Sequence, residues 1–177
     1  GFADAGKLRT LSDNLDLALT CSTGLGVGED PGSSDPERRS AAIKALTGAV
    51  KTAGAMGARN LSGVVASPWG YFVPARKAER AKYASETLAQ LDGVLRGEGV
   101  VLGIEALNRF ESDLTNTASE TTAIAKATGS QNIGVLLDTF HMNVEEKSPP
   151  DAINETGKAL VHFHISENDR GVPGSGQ

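Results

Sequence analysis

Short apolar runs alternate with longer amphipathic stretches along the chain. Residues 4–14 read as the tail of a helix, and a first strand is predicted over Asp16–Ser22, closing at Thr23-Gly24. Residues 26–36 carry three Gly, two Pro and two Ser and form a loop. Asp35-Pro36-Glu37 is a helix-start signal: a capping Asp, Pro at the first helical position, then an acid in the first turn. Ile43, Leu46, Val50 and Ala53 then recur at helical spacing, and Gly57 stops that helix. A second strand follows over Asn60–Ala66. An amphipathic helix is predicted over 75–96, with Ala81, Ala84, Leu88, Leu91 and Leu95 on one face. Val100–Leu107 reads as a third strand, and Thr117…Glu120 as a capping box opening a helix to Thr128. The fourth strand is Ile133–Asp138, and a short helix over 149–156 leads to a fifth strand, Leu160–Ile165.

Strands and helices alternating at this spacing predict an α/β fold with a parallel sheet, its apolar strands buried on both faces. Residues with chemical potential gather just after the strands: Cys21, Trp69, Glu105 with Glu111, Asp138 with His141, and His164 with Arg170. A (β/α)₈ barrel builds its active site on that face. An open doubly wound sheet does so too, but no Gly-x-Gly-x-x-Gly follows the first strand. A whole barrel takes ~250 residues and eight strands. The expectation for residues 1–177 is therefore a single, partial TIM-barrel domain of about five βα units.

Composition narrows the function. The chain has 177 residues, is 39% hydrophobic and 22% charged, and carries a net charge of −5. An acidic pI near 5.2 argues against a nucleic-acid partner, which normally needs a basic face. Cys21 is the one cysteine, so no internal disulfide can form. No apolar run approaches the roughly 18–20 residues of a membrane span, and no signal-peptide pattern opens the chain. The expected location is the cytoplasm.

Glu105, Asp138 and His164 each end a different strand and together make a mixed oxygen and nitrogen ligand set, suited to Mn²⁺, Mg²⁺, Co²⁺ or Zn²⁺. The competing reading is that the two acids cap helices or sit in loops and that His164 is a core histidine. His162 shares the parity of His164 and is expected to be a buried, hydrogen-bonded neighbour. Glu111, His141 and Arg170 could hold a polyol through charge-assisted hydrogen bonds. Cys21 and Trp69 could line a pocket, with simple packing as the alternative.

Four stretches carry a family resemblance: Thr20-Cys-Ser-Thr-Gly-Leu25, Gly103-Ile-Glu-Ala-Leu-Asn-Arg-Phe-Glu111, Leu137-Asp-Thr-Phe-His-Met-Asn143, and His162-Phe-His164 with Arg170-Gly-Val-Pro-Gly174. In order and spacing the chain resembles the D-tagatose 3-epimerase (D-psicose or D-allulose 3-epimerase) group of the xylose-isomerase-like TIM-barrel superfamily. It corresponds to the third barrel strand through the loop after the seventh.

The resemblance implies a metal-dependent epimerase of free ketohexoses, such as D-tagatose/D-sorbose or D-fructose/D-psicose, working through an enediolate. It implies Glu105, Asp138 and His164 as metal ligands, with Mn²⁺ ahead of Co²⁺ or Mg²⁺, and Glu105 also as a catalytic acid/base. Glu111, His141 and Arg170 would contact the sugar, with Cys21 and Trp69 near the pocket. A fourth ligand, a second acid/base Glu on an eighth strand, would lie beyond Gln177, so that these residues alone are expected to be inactive. A homodimer or homotetramer is expected for the whole protein. Ser166 stands where the family has Gly, and Asn168-Asp169 replace a small residue followed by Asn. The alternatives are an aldose–ketose isomerase of the hydroxypyruvate-isomerase type and a non-catalytic sugar- or metal-binding protein.

Overall fold

The computed structural model describes residues 4–73 and 76–176. Its elements run in chain order: α1 Ala5–Asn14, β1 Thr20–Gly24, α2 Pro36–Ala55, β2 Asn60–Val64, α3 Lys77–Ala89, α4 Asp92–Glu98, β3 Val101–Glu105, α5 Ala118–Ala127, β4 Ile133–Asp138, α6 Thr139–Glu145, α7 Pro149–Thr156 and β5 Leu160–His164. All four pairings are parallel and the strand order is β1-β2-β3-β4-β5. Helices α2 to α7 share one buried core with the strands. This is five strands' worth of a (β/α)₈ barrel, open along β1 and β5.

The helix-facing layer is the core. Leu61, Leu102, Ile104, Val135 and Leu137 project from the strands into Leu46, Val50, Leu88, Leu91, Leu95 and Ile124 of the helices. The other strand face is the barrel interior, where Ser62, Gly103, Glu105, Leu136 and Asp138 stand by alternation. β4, paired on both sides, is buried at every residue. β1 alternates exposed and half-buried and β5 is half-buried throughout, so burial on both faces holds for the central strands and not for the edges.

Several element ends follow local chemistry. Asp35 caps α2 through Glu37 N–H, with Pro36 at the first helical position. Thr117 and Glu120 close the reciprocal capping box of α5. The first strand begins four residues later than expected because Leu15–Leu17 finish α1 instead. Asp16 takes a left-handed φ of 52°, and Leu17 N–H returns to Ser12 O. The helix expected over 75–96 is two helices, α3 and α4, separated at Gln90-Leu91, where the amides of both residues bond three residues back. Its expected first residue, Ala75, lies outside the described residues. The short helix α6 carries too few residues to show a period; Asp138 starts it by accepting from Phe140 N–H.

Two features shape the barrel interior. Between Val135 and Leu136 the β4–β5 register shifts by one residue: Val135 pairs with Leu160 but Leu136 with His162, leaving Val161 as a bulge. Val161 covers the interior over Gly103 and Gly134, where a Cβ would collide with the Val161 methyls at Gly134 and with Ser62 Oγ at Gly103. Gly103→Ala is therefore expected to destabilise the fold by about 1–3 kcal/mol, the usual cost of overpacking, as read by urea unfolding. Among the described residues, no helix is long and apolar enough to cross a membrane.

Candidate active site

Three consecutive strands deliver the site. β3 ends on Glu105, β4 on Asp138 and β5 on His164, and Asp138 pairs directly with His164. Asp138 divides its carboxylate: Oδ1 caps α6, while Oδ2 lies 3.7 Å from His164 Nδ1. The capping and site readings of Asp138 are thus both realised. α6 then presents the buried His141, whose Nε2 is 3.7 Å from Glu105 Oε1. Ligand atoms of Glu105, Asp138 and His141 lie within 4.8 Å of one another. Two carboxylates with an imidazole on either side, His141 and His164, are a donor set that fits a divalent cation such as Mn²⁺, Co²⁺, Mg²⁺ or Zn²⁺. His164, which joins the cluster through Asp138, is the more exposed of its two histidines.

Electrostatics separates the two glutamates of the Gly103–Glu111 stretch. Burial, with Asp138 adding repulsion, pushes the Glu105 carboxyl up to about 7; Arg170 offsets part of this. Burial also raises Glu111, but hydrogen bonds from Trp69 and Asn108, aided by His141 and Arg170, outweigh it and hold its carboxyl below the ordinary range. One group is poised to exchange a proton near neutrality and the other stays an anion. Such divergence between neighbouring carboxyls marks acid/base sites. Burial holds His141 low, against the pull of Asp138 and Glu111.

Glu111 is the hub of the rim. Its Oε2 accepts from Trp69 Nε1 at 2.9 Å, and its Oε1 accepts from Asn108 Nδ2 and Arg170 Nη2, each at 3.0 Å. The Arg170 guanidinium also lies 4.0 Å over the Phe140 ring, a cation–π contact that holds it flat at the opening. Arg170 adopts a left-handed φ of 63° within a turn closed onto Glu167 O. Ser166 N–H, just before that turn, donates to Thr139 Oγ1.

The structure thus brings together Glu105, Glu111, Asp138, His141, His164, Arg170 and Trp69. Cys21 is not among them. It pairs with Leu61 and packs against the helix-facing core, with its thiol pushed up by burial. Its neighbour Ser22 takes the interior side, because successive strand residues alternate. His162 is half-buried and meets His164 edge to face, their ring centroids 5.1 Å apart. Asn108 and Phe140 complete the site without having stood out in the sequence. Both lie inside the motif stretches, and their roles depend on partners about 30 residues away.

A half-barrel of parallel strands with acids and imidazoles at its C-terminal edge belongs to a defined class. The family described as Xylose isomerase-like TIM barrel matches residues 3–177, and the chain belongs to that family. Within it, the chain is 33% identical over 177 residues to a D-psicose 3-epimerase of Agrobacterium fabrum, covering 99% of this chain and 61% of that protein. It is also 33% identical to an L-ribulose 3-epimerase of Mesorhizobium japonicum, covering 98% of this chain and 58% of the relative. A solved L-ribulose 3-epimerase superposes with a TM-score of 0.94 at 32% identity, over 99% of this chain and 59% of that one. A D-psicose 3-epimerase crystallised in the presence of D-fructose gives 0.92 at 32% identity, over 99% and 62%. The chain therefore spans about three-fifths of the length of these relatives.

Proposed function

We propose that the protein is a metal-dependent ketose 3-epimerase acting on a free ketohexose, with D-fructose and D-psicose as the first pair to test. The observation that carries this reading is the Glu105 carboxyl: buried, poised near neutrality, and set between the Asp138–His cluster and the ionised Glu111–Arg170 pair. Epimerisation at C3 needs a base for the proton beside the C2 carbonyl and an acid that delivers a different, solvent-exchangeable proton to the opposite face. Glu105 is assigned the proton on one face. The names of the A. fabrum and M. japonicum relatives support the reaction.

Glu105, Asp138 and His164 are the proposed metal ligands, with Mn²⁺ ahead of Co²⁺ or Mg²⁺. A divalent cation there would supply Lewis-acid polarisation to the sugar oxygens. The remaining work belongs to side chains. Glu111 accepts from sugar hydroxyls, while Arg170 and His141 donate to the oxygens that gain charge as the enediolate develops. Trp69, tied to Glu111, covers the sugar from the rim. The same reading makes the full-length protein a cytoplasmic homodimer or homotetramer, with no nucleic-acid or membrane partner.

The test uses full-length protein with Mn²⁺ and D-fructose in D₂O, followed by NMR. Deuterium is expected at C3, together with a new ketose. Label at C1 would instead assign an aldose–ketose isomerase. Bound Mn²⁺ without any label would leave another substrate or a binding role.

A further inference from the structure

We propose that Asn108 is a positioning residue that fixes His141 as the Nε2–H tautomer, so that His141 presents a hydrogen-bond donor to the site and takes no part in holding a metal. Asn108 sits three residues beyond the end of β3 and is buried. Its backbone N–H donates to His141 Nδ1 at 3.1 Å, and its side-chain Nδ2 lies 2.9 Å from the same nitrogen.

The orientation of the Asn108 amide is set independently. Its Oδ1 accepts from Phe110 N–H at 2.9 Å, and its Nδ2 donates to the Glu111 carboxylate at 3.0 Å. Turning the amide over would place an oxygen against a carboxylate and an NH₂ against an N–H. The side chain therefore spends one hydrogen on Glu111 and the other on His141. His141 Nδ1 thus faces two donors and must be the bare, accepting nitrogen, since a proton there would oppose both. In a neutral imidazole the remaining proton then sits on Nε2.

That atom points at Glu105. A protonated ring nitrogen has no lone pair for a cation, so of the two imidazoles near Asp138 only His164 is free to ligate. The same amide steers Glu111, so one asparagine orients both the donor and the acceptor that flank the opening. The service of the Nε2–H to a sugar rests on the epimerase reading; the tautomer does not.

Nitrogen-15 NMR of the metal-free chain, with its histidine rings labelled, reads the tautomer directly. The chain has three histidines, so spectra of His162→Gln and His164→Gln identify the His141 signals. The expected result is a bare Nδ1 and a protonated Nε2 in the unsubstituted chain. Asn108→Asp puts an acceptor opposite Nδ1 and is expected to raise the Nδ1-protonated fraction by about tenfold or more, the scale of exchanging a donor for a charged acceptor. A proton on Nδ1 in the unsubstituted chain overturns the proposal without any variant, and so does an unchanged ratio in folded Asn108→Asp. If the aspartate variant does not fold, Asn108→Ala replaces it, with an expected rise of roughly threefold because the backbone donor remains; no change there overturns the proposal equally. The spectra contain neither sugar nor metal. A bare Nδ1 in a protein that fails to epimerise would therefore sink the epimerase reading and keep the tautomer.

Discussion

Glu105→Gln in the full-length protein is expected to lower kcat by roughly 10²–10⁴-fold, the range ascribed to a positioned acid or base, and by more if metal binding fails too. Gln keeps the size and hydrogen-bonding capacity of Glu but cannot take up a proton. The fold should survive, because the substitution removes a charge that burial and Asp138 already disfavour. Unfolding midpoints in urea at neutral pH should therefore stay level or rise while turnover falls. Activity near that of the unsubstituted protein would reject Glu105 as the base. Loss of both activity and structure would point to a structural role instead.

A second large effect is expected in the metal-free chain, where the Glu105 contribution to stability should fall as pH rises from about 4.5 to about 7, while His141 and His162, held low by burial, contribute with the opposite sign. The folded Glu105 carboxyl titrates near 7, above its ordinary 4.5, so across that window the native state holds a proton that the unfolded state has released. That contribution is then fully present at the acid end and declines toward neutrality. At about 1.4 kcal/mol per pH unit, the loss is on the order of 3 kcal/mol. A cation competing for the same carboxylate should reverse the trend, since it binds better once the proton has left. Mn²⁺ at about 100 times its dissociation constant should add about 2.7 kcal/mol. Urea titrations at pH 5 and pH 7.5, with Mn²⁺ or with EDTA, measure both effects. Asp138→Asn or His164→Gln should remove most of the Mn²⁺ increment. A pH dependence identical in the metal-free chain and its Glu105→Gln variant, or a chain indifferent to Mn²⁺, would contradict this account of the site.

Much of this was legible in the sequence where the determinants are local. Ile133–Asp138 is an unbroken apolar run ending in an acid, and it is a strand over those residues. Asp35-Pro36 and Thr117…Glu120 open helices because a cap involves residues only two or three apart. Asp138 ends its strand where the apolar run stops, whereas β3 and β5 end at Glu105 and His164, short of the expected Leu107 and Ile165. Cys21 was less legible, since which face of β1 it occupies is set by pairing with Leu61 across the sheet. The raised Glu105 carboxyl depends on burial and then on Asp138, 33 residues away, and the Asn108–His141 contact spans the same separation. Neither leaves a local periodic trace. α6 was hidden for a different reason: its N-cap is also the last residue of β4.

The bulge at Val161 has a mechanical meaning. Val161 faces the interior over Gly103 and Gly134, and three residues later His164 faces the same interior beside Asp138. In an uninterrupted strand those two positions would point opposite ways. The additional residue lets one short strand serve as a lever, with a foot on the barrel floor and His164, the proposed ligand, at its tip. A side chain introduced at Gly134 presses on the foot and is expected to displace the tip without touching it. Mn²⁺ affinity, beyond any change in unfolding midpoint, is the quantity that will register the displacement.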